Sequence, residues 1–135
     1  MEKDYGNRIE LLRVARLELL RLHKNLVDFE REIYERENGR VSSGSFLQLL
    51  LNEKRFNWLR VFSQLIVEID ESFDLDDGID SEMTENYLNQ IHKLVYFEGV
   101  GEEFRSKYKN ALQSDVEILS KHSEIKKLLS DKEGT

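Results

Sequence analysis

From Leu12 to Ile33 the chain places Leu12, Ala15, Leu19, Leu22, Leu26, Phe29 and Ile33 at alternating steps of three and four residues. At about 100° per residue, that spacing puts all seven side chains on one face of a single helix. No glycine or proline interrupts the run between Arg8 and Asn38, and proline is absent from all 135 residues. A second, weaker stripe carries Ile9, Leu20, Val27 and Tyr34, while Leu11, Val14 and Leu17 make the first half apolar nearly all round. A helix of that kind either sits centrally in its domain or presents a second surface to a partner.

Helical spacing continues along the chain and no strand-like alternation persists. The first long helix is expected from about Arg8 to about Glu37, stopped by Asn38-Gly39. After the loop Arg40–Gly44, the stretch Ser45-Phe-Leu-Gln48 reads as a capping box opening a short helix, about residues 45–52. A third helix covers about Lys54 to Phe73, with Trp58, Phe62, Leu65, Ile69 and Phe73 on its inner stripe. Asp74–Asp80 is a turn, and Ser81 is the expected N-cap of a fourth helix reaching about Glu98. Gly99-Val-Gly101 breaks the chain before a fifth helix, about Glu102 to Ser130. The expected architecture is all-α: a four-to-five-helix bundle, mostly antiparallel, forming one domain ordered from about residue 8 to about residue 130.

Composition narrows the function classes. Charged residues make up 35% of the chain and hydrophobic ones 39%, the balance of amphipathic helices with solvated outer faces. Cysteine is absent, which excludes disulfides, thiolate zinc sites and a cysteine nucleophile. The longest apolar runs, such as Leu49–Leu51 and Leu65–Val67, fall far short of the roughly 18 residues of a membrane span. The opening Met-Glu-Lys-Asp-Tyr-Gly-Asn has no apolar signal core, so a cytoplasmic location with no membrane contact is expected.

Charge is segregated. Residues 1–64 are net +2, residues 65–103 carry one lysine against 12 acids, and residues 104–135 are net +2, within an overall −7. The acidic middle repels phosphate backbones, and no nucleic-acid partner is expected. The basic cluster Lys54, Arg55 and Arg60 is small, and Trp58 among them belongs to the core stripe, which removes the aromatic a base would stack on.

Four residues stand out as candidate metal ligands. His23 and Glu30 lie seven residues apart between the two apolar stripes of the first helix. Asp115 and His122, also seven apart, fall on the apolar stripe of the last, among Phe104, Tyr108, Ala111, Ile118 and Ile125. A carboxylate or imidazole facing a core needs a partner, since burying either alone costs several kcal/mol. With the two helices antiparallel, His23 would face His122 and Glu30 would face Asp115, four ligands for a transition metal. With them parallel, the same residues form two hydrogen-bonded pairs and no site. The Glu-x-x-His motif of carboxylate-bridged bundles is missing: Glu18 and Glu117 each precede their histidine by five residues. His92 lies off its helix's stripe. Calcium is a lesser expectation at Asp74–Glu85, where glycine occupies the fifth loop position and isoleucine the sixth, against the EF-hand pattern.

Catalytic residues are not expected: Ser42-Ser-Gly-Ser45 has neither the lysine of a phosphate loop nor the flanking glycines of a nucleophile elbow. The leading expectation is a non-enzymatic module for protein interaction or self-association, a homodimer in its simplest form. Its surface would use Leu11, Val14, Leu17 and Leu20 of the first helix with Phe56 and Val67, which lie off the main stripe of the third.

The runs Leu20-Arg-Leu-His-Lys-Asn-Leu-Val-Asp-Phe-Glu-Arg-Glu-Ile-Tyr-Glu35, Gly44-Ser-Phe-Leu-Gln-Leu-Leu-Leu51, Phe56-Asn-Trp-Leu-Arg60 and Leu65-Ile-Val-Glu-Ile-Asp70 together resemble a group of small bacterial all-α proteins of unknown function. The resemblance covers roughly residues 20–70. It implies a bacterial cytosolic bundle and no activity.

Overall fold

The computed structural model describes residues 2–134, with side chains described over residues 7–130. Among the described residues every regular element is helical. The order is α1 (Glu2–Asn38), α2 (Ser43–Asn52), a 3-10 turn (Lys54–Phe56), α3 (Asn57–Phe73), α4 (Ser81–Val95), α5 (Glu102–Ser114) and α6 (Val116–Gly134). The chain is therefore all-α, with six α-helices among the described residues where four to five were expected.

Helix α1 is the spine. Leu12, Ala15, Leu19, Leu22 and Leu26 are fully buried, and α3, α4 and α6 all pack along it. Phe29 and Ile33 continue the stripe half-buried. The helix stops where its glycine permits a left-handed turn: Gly39 has φ 89° and donates its N–H to the Glu35 carbonyl at 2.8 Å.

Helix α2 begins two residues earlier than expected. Ser42, not Ser45, is its N-cap, and the Ser42 hydroxyl accepts from the Ser45 amide at 3.1 Å. The N-cap of α4 likewise moves back by one, to Asp80, whose Oδ1 accepts from Met83 N at 2.8 Å. In both cases the oxygen nearest the free amides of the first turn takes the role.

The exit from α4 departs from the usual residue preference. Phe97 N donates to Leu94 O at 3.4 Å and Glu98 N to Lys93 O at 2.9 Å, the paired bonds of a Schellman termination. That motif favours glycine at its left-handed position, yet Phe97 occupies it with φ 59°. An L side chain there costs about 1–2 kcal/mol. The offset is packing: the Phe97 ring lies 5.1 Å from that of Tyr108 and 6.3 Å from that of His122. The helix thus ends at Val95, three residues before the expected Glu98, and the chain has already left it when Gly99–Gly101 is reached.

The expected single helix over residues 102–130 is two helices. Asp115 is extended (φ −138°, ψ 116°), and its Oδ1 accepts from Glu117 N at 2.9 Å and Ile118 N at 3.2 Å. A short carboxylate that satisfies the free amides of a new first turn competes with continuation of the helix, and here it wins. The apolar pattern hides the break. Phe104, Tyr108 and Ala111 keep helical spacing on one side, Ile118, His122 and Ile125 on the other, and the step between them is seven residues.

Candidate functional site

The break at Asp115 decides what surrounds His122. On one continuous helix Tyr108 and His122 would stand about 21 Å apart along the axis. With α6 folded back onto α5 they meet: Tyr108 Oη lies 2.7 Å from His122 Nδ1, with the rings edge to face at 5.3 Å. His122 is 6% exposed and Tyr108 fully buried. Burial, with a smaller contribution from Lys126, pulls the imidazole down to about 4. Burial pushes the Tyr108 phenol above its ordinary range. Both groups are held neutral, and the tautomer of the imidazole sets the direction of the bond: a bare Nδ1 accepts from the phenol, and an Nδ1–H donates to its oxygen. Proton transfer within the pair would create the two ions that burial disfavours, so the pair is structural and a poor general base.

His23 is half-buried and packs its ring 6.3 Å from Phe62, and burial lowers its pKa as well. Phe62 in turn lies 5.6 Å from Tyr108. The two histidines are thus joined through two aromatic rings, and separated by them.

Glu30 is 6% exposed, and burial raises its pKa, countered by Lys107 of α5 and Arg55 of the 3-10 turn. Lys107 Nζ donates to the Arg55 carbonyl at 2.6 Å, and Arg55 pairs with Glu37 at 3.2 Å. Glu30 therefore belongs to a charge cluster that ties α1, the 3-10 turn and α5 together. Asp115, expected on the core stripe opposite a ligand, spends one carboxylate oxygen as the cap of α6. His92 stacks on Tyr96 at 4.2 Å with its Nδ1 3.7 Å from Glu98.

Among the described residues no three His, Cys, Asp or Glu side chains are grouped so as to hold a metal ion. In the acidic turn two of the would-be calcium ligands have other work. Asp80 caps α4, and Glu85 pairs with Arg8 of α1.

Of the expected interaction surface, Leu17 and Leu20 are each 39% exposed and Val67 is 51% exposed. Leu20 stands one turn from Arg16 on α1 and Val67 one turn from Asp70 on α3, and the Arg16–Asp70 pair (2.8 Å) joins the helices there, so the two aliphatics flank one stretch of the α1–α3 seam. Leu11 and Val14 are half-buried. Phe56 is a correction: expected at the surface, it is fully buried, packed on Phe46 (5.5 Å) and Tyr34 (6.2 Å) under the Arg55 guanidinium. The 3-10 turn resets the helical phase just before α3, so a projection continued back from α3 points Phe56 the wrong way.

A groove that sequence reasoning missed runs between α3 and α4. Its floor is Leu65 of α3, Leu94 of α4, and Val100 and Phe104 beyond, with Val61 of α3 at its mouth, and it encloses about 430 Å³. Gln64, Glu68, Gln90, Lys93 and Glu98 form its rim. The only signal in the sequence was that Val61, Leu65 and Glu68 share one flank of a helix; the opposite wall depends on where α4 ends and how the Gly99–Gly101 segment crosses it.

No known protein family, no curated protein and no solved structure matches the chain.

Proposed function

We propose that the protein is a non-enzymatic helical module that self-associates through the outer seam of α1 and α3. The observation that carries this reading is the exposure of three large aliphatics, Leu17 and Leu20 of α1 and Val67 of α3, beside the stretch of the seam joined by Arg16 and Asp70. Removing a full leucine or valine from water is worth about 1.5–3 kcal/mol, and two copies joined about a two-fold axis would cover the patch twice. The buried and capping titratable residues support the same reading, because His122, Asp115 and Glu30 are engaged in holding helices together. The bundle reads as mostly antiparallel, supported by Lys121 beside Glu18 (3.9 Å) and by Leu128 sharing a hollow with Val14. A cytoplasmic location is supported by the absence of cysteine; no helix among the described residues is long and apolar enough to cross a membrane.

Sedimentation equilibrium tests the proposal. The wild-type chain is expected to sediment as a dimer in the tens-of-micromolar range, and a Leu20→Glu/Val67→Glu double variant as a monomer with the same helical content. A wild-type chain that remains monomeric at high micromolar concentration overturns it.

A further inference from the structure

We propose that the groove between α3 and α4 docks a positively charged amphipathic helix of a partner protein. The surface is distinct from the self-association seam, since Val61, Gln64 and Glu68 line the flank of α3 that faces α4, whereas Asp70, one turn from Val67, pairs with Arg16 of α1.

Shape gives the first half of the argument. The groove is walled by two helices and open to solvent, with an apolar floor and a polar rim. From Val61 to Glu68 it runs seven residues of α3, about 10 Å, the length of two turns of a helix laid alongside. Such a groove receives side chains spaced i, i+3 or i+4, and i+7 on a partner helix. Val61 at its mouth is 40% exposed, while Leu65, Leu94 and Phe104 form a floor that is already packed. The Gln64 and Gln90 amides on the rim bond to no other side chain or carbonyl among the described residues, which leaves both free for a visiting backbone or polar group.

Charge gives the second half. Both helical walls and the closing segment fall largely within residues 65–103, the block with 12 acids and one lysine. Two of these acids are neutralised by α1, Asp70 by Arg16 and Glu85 by Arg8. Among the described residues Glu68 forms no ion pair, and the one ion-pair partner of Glu98 is the His92 ring. The groove sits in a negative field that attracts a cationic segment and slows an anionic one. Lys93, the block's single cation, lies on the rim, where it suits one acid on the visiting helix.

The test uses three synthetic fourteen-residue probes on the full-length chain. One has leucines at i, i+3, i+4 and i+7 with lysines elsewhere, the second has glutamates in place of the lysines, and the third scrambles the first. Fluorescence anisotropy is expected to show binding of the first probe only, with amide shifts at Gln64, Lys93 and Val100. A Glu68→Lys/Glu98→Lys variant should weaken it about tenfold or more, and Val61→Glu should do the same at an exposed position that leaves the fold intact. Asp76→Lys/Asp77→Lys, on the remote acidic turn, and Leu20→Glu/Val67→Glu, on the seam, should change it less than about twofold. Absence of binding by the lysine probe overturns the proposal. So does equal binding of the scrambled or glutamate probe, or an equal loss from the acidic-turn variant, which would mean a diffuse charge effect. If Val61→Glu converts a wild-type dimer to a monomer while Leu20→Glu/Val67→Glu does not, the occupant is a second copy. The groove proposal then fails together with the seam, whereas loss of the seam dimer alone leaves the groove standing.

Discussion

His122 shows how a single buried imidazole makes the fold depend on pH. Its folded pKa of about 4 lies below the 6.5 of an exposed histidine. Between those values the unfolded chain takes up a proton that the folded chain refuses, so stability rises with pH across the window and is lost as pH falls from about 6.5 to about 4. The full shift corresponds to about 3 kcal/mol. His23, also lowered by burial, acts in the same direction, while Glu30, raised by burial, opposes them. Thermal melts from pH 7.5 to pH 4.5 should therefore show a falling midpoint, and NMR should keep the His122 ring neutral below pH 5.5. Replacing Tyr108 with Phe keeps the ring packing and removes the hydroxyl bonded to His122 Nδ1. It should cost about 1–2 kcal/mol at pH 7. A His122 that protonates near 6.5 in the wild type would contradict this account. The sequence placed His122 on the core stripe and demanded a partner for it. It could not name Tyr108, because fourteen residues along one helix put the two far apart.

Helices are legible in this chain wherever one stripe runs unbroken, and their ends are legible only where the stopping residue acts alone. Gly39 acts alone, and α1 ends as expected. Phe97 and Asp115 do not: the first tolerates a left-handed backbone because tertiary packing rewards it, and the second breaks a helix without breaking its periodicity. That second break is the larger event, since it creates the α5–α6 hairpin and hence the His122–Tyr108 pair. An Asp115→Ala substitution should lower stability by about 1 kcal/mol, the ordinary worth of an N-cap, while Asp115→Ser should retain most of it. Denaturant unfolding with an unchanged slope would measure the difference. An alanine variant as stable as wild type would mean that packing of α6 on α1 holds the corner without its cap. The groove lay beyond sequence reasoning for a related reason: its two walls belong to different helices, and its closing segment is set by the misplaced end of α4.

At the scale of the whole molecule, charge segregation divides the surface into parts with opposite responses to salt. Within the acidic block, Asp74, Asp76 and Asp77 crowd into one exposed turn, well inside the roughly 10 Å Debye length at 0.1 M salt. Their mutual repulsion opposes folding, whereas exposed pairs such as Lys24–Asp28 contribute only about 0–1 kcal/mol and lose little when screened. Raising NaCl from about 0.02 M to about 0.5 M should therefore raise the melting temperature of the isolated chain. An Asp76→Asn/Asp77→Asn variant should gain about 0.5 kcal/mol at the low end of that range and nothing at the high end. The apolar seam should behave differently, because burial of Leu17, Leu20 and Val67 involves no ion pair: the dimer should hold or tighten as salt rises. Binding of a cationic helix in the α3–α4 groove should weaken over the same range. Melting, sedimentation and anisotropy measured across one salt series thus separate three properties of one surface. A chain whose melting temperature falls with added salt would show that the bridges from α1 to the acidic block, Arg8–Glu85 and Arg16–Asp70, outweigh the repulsion they span.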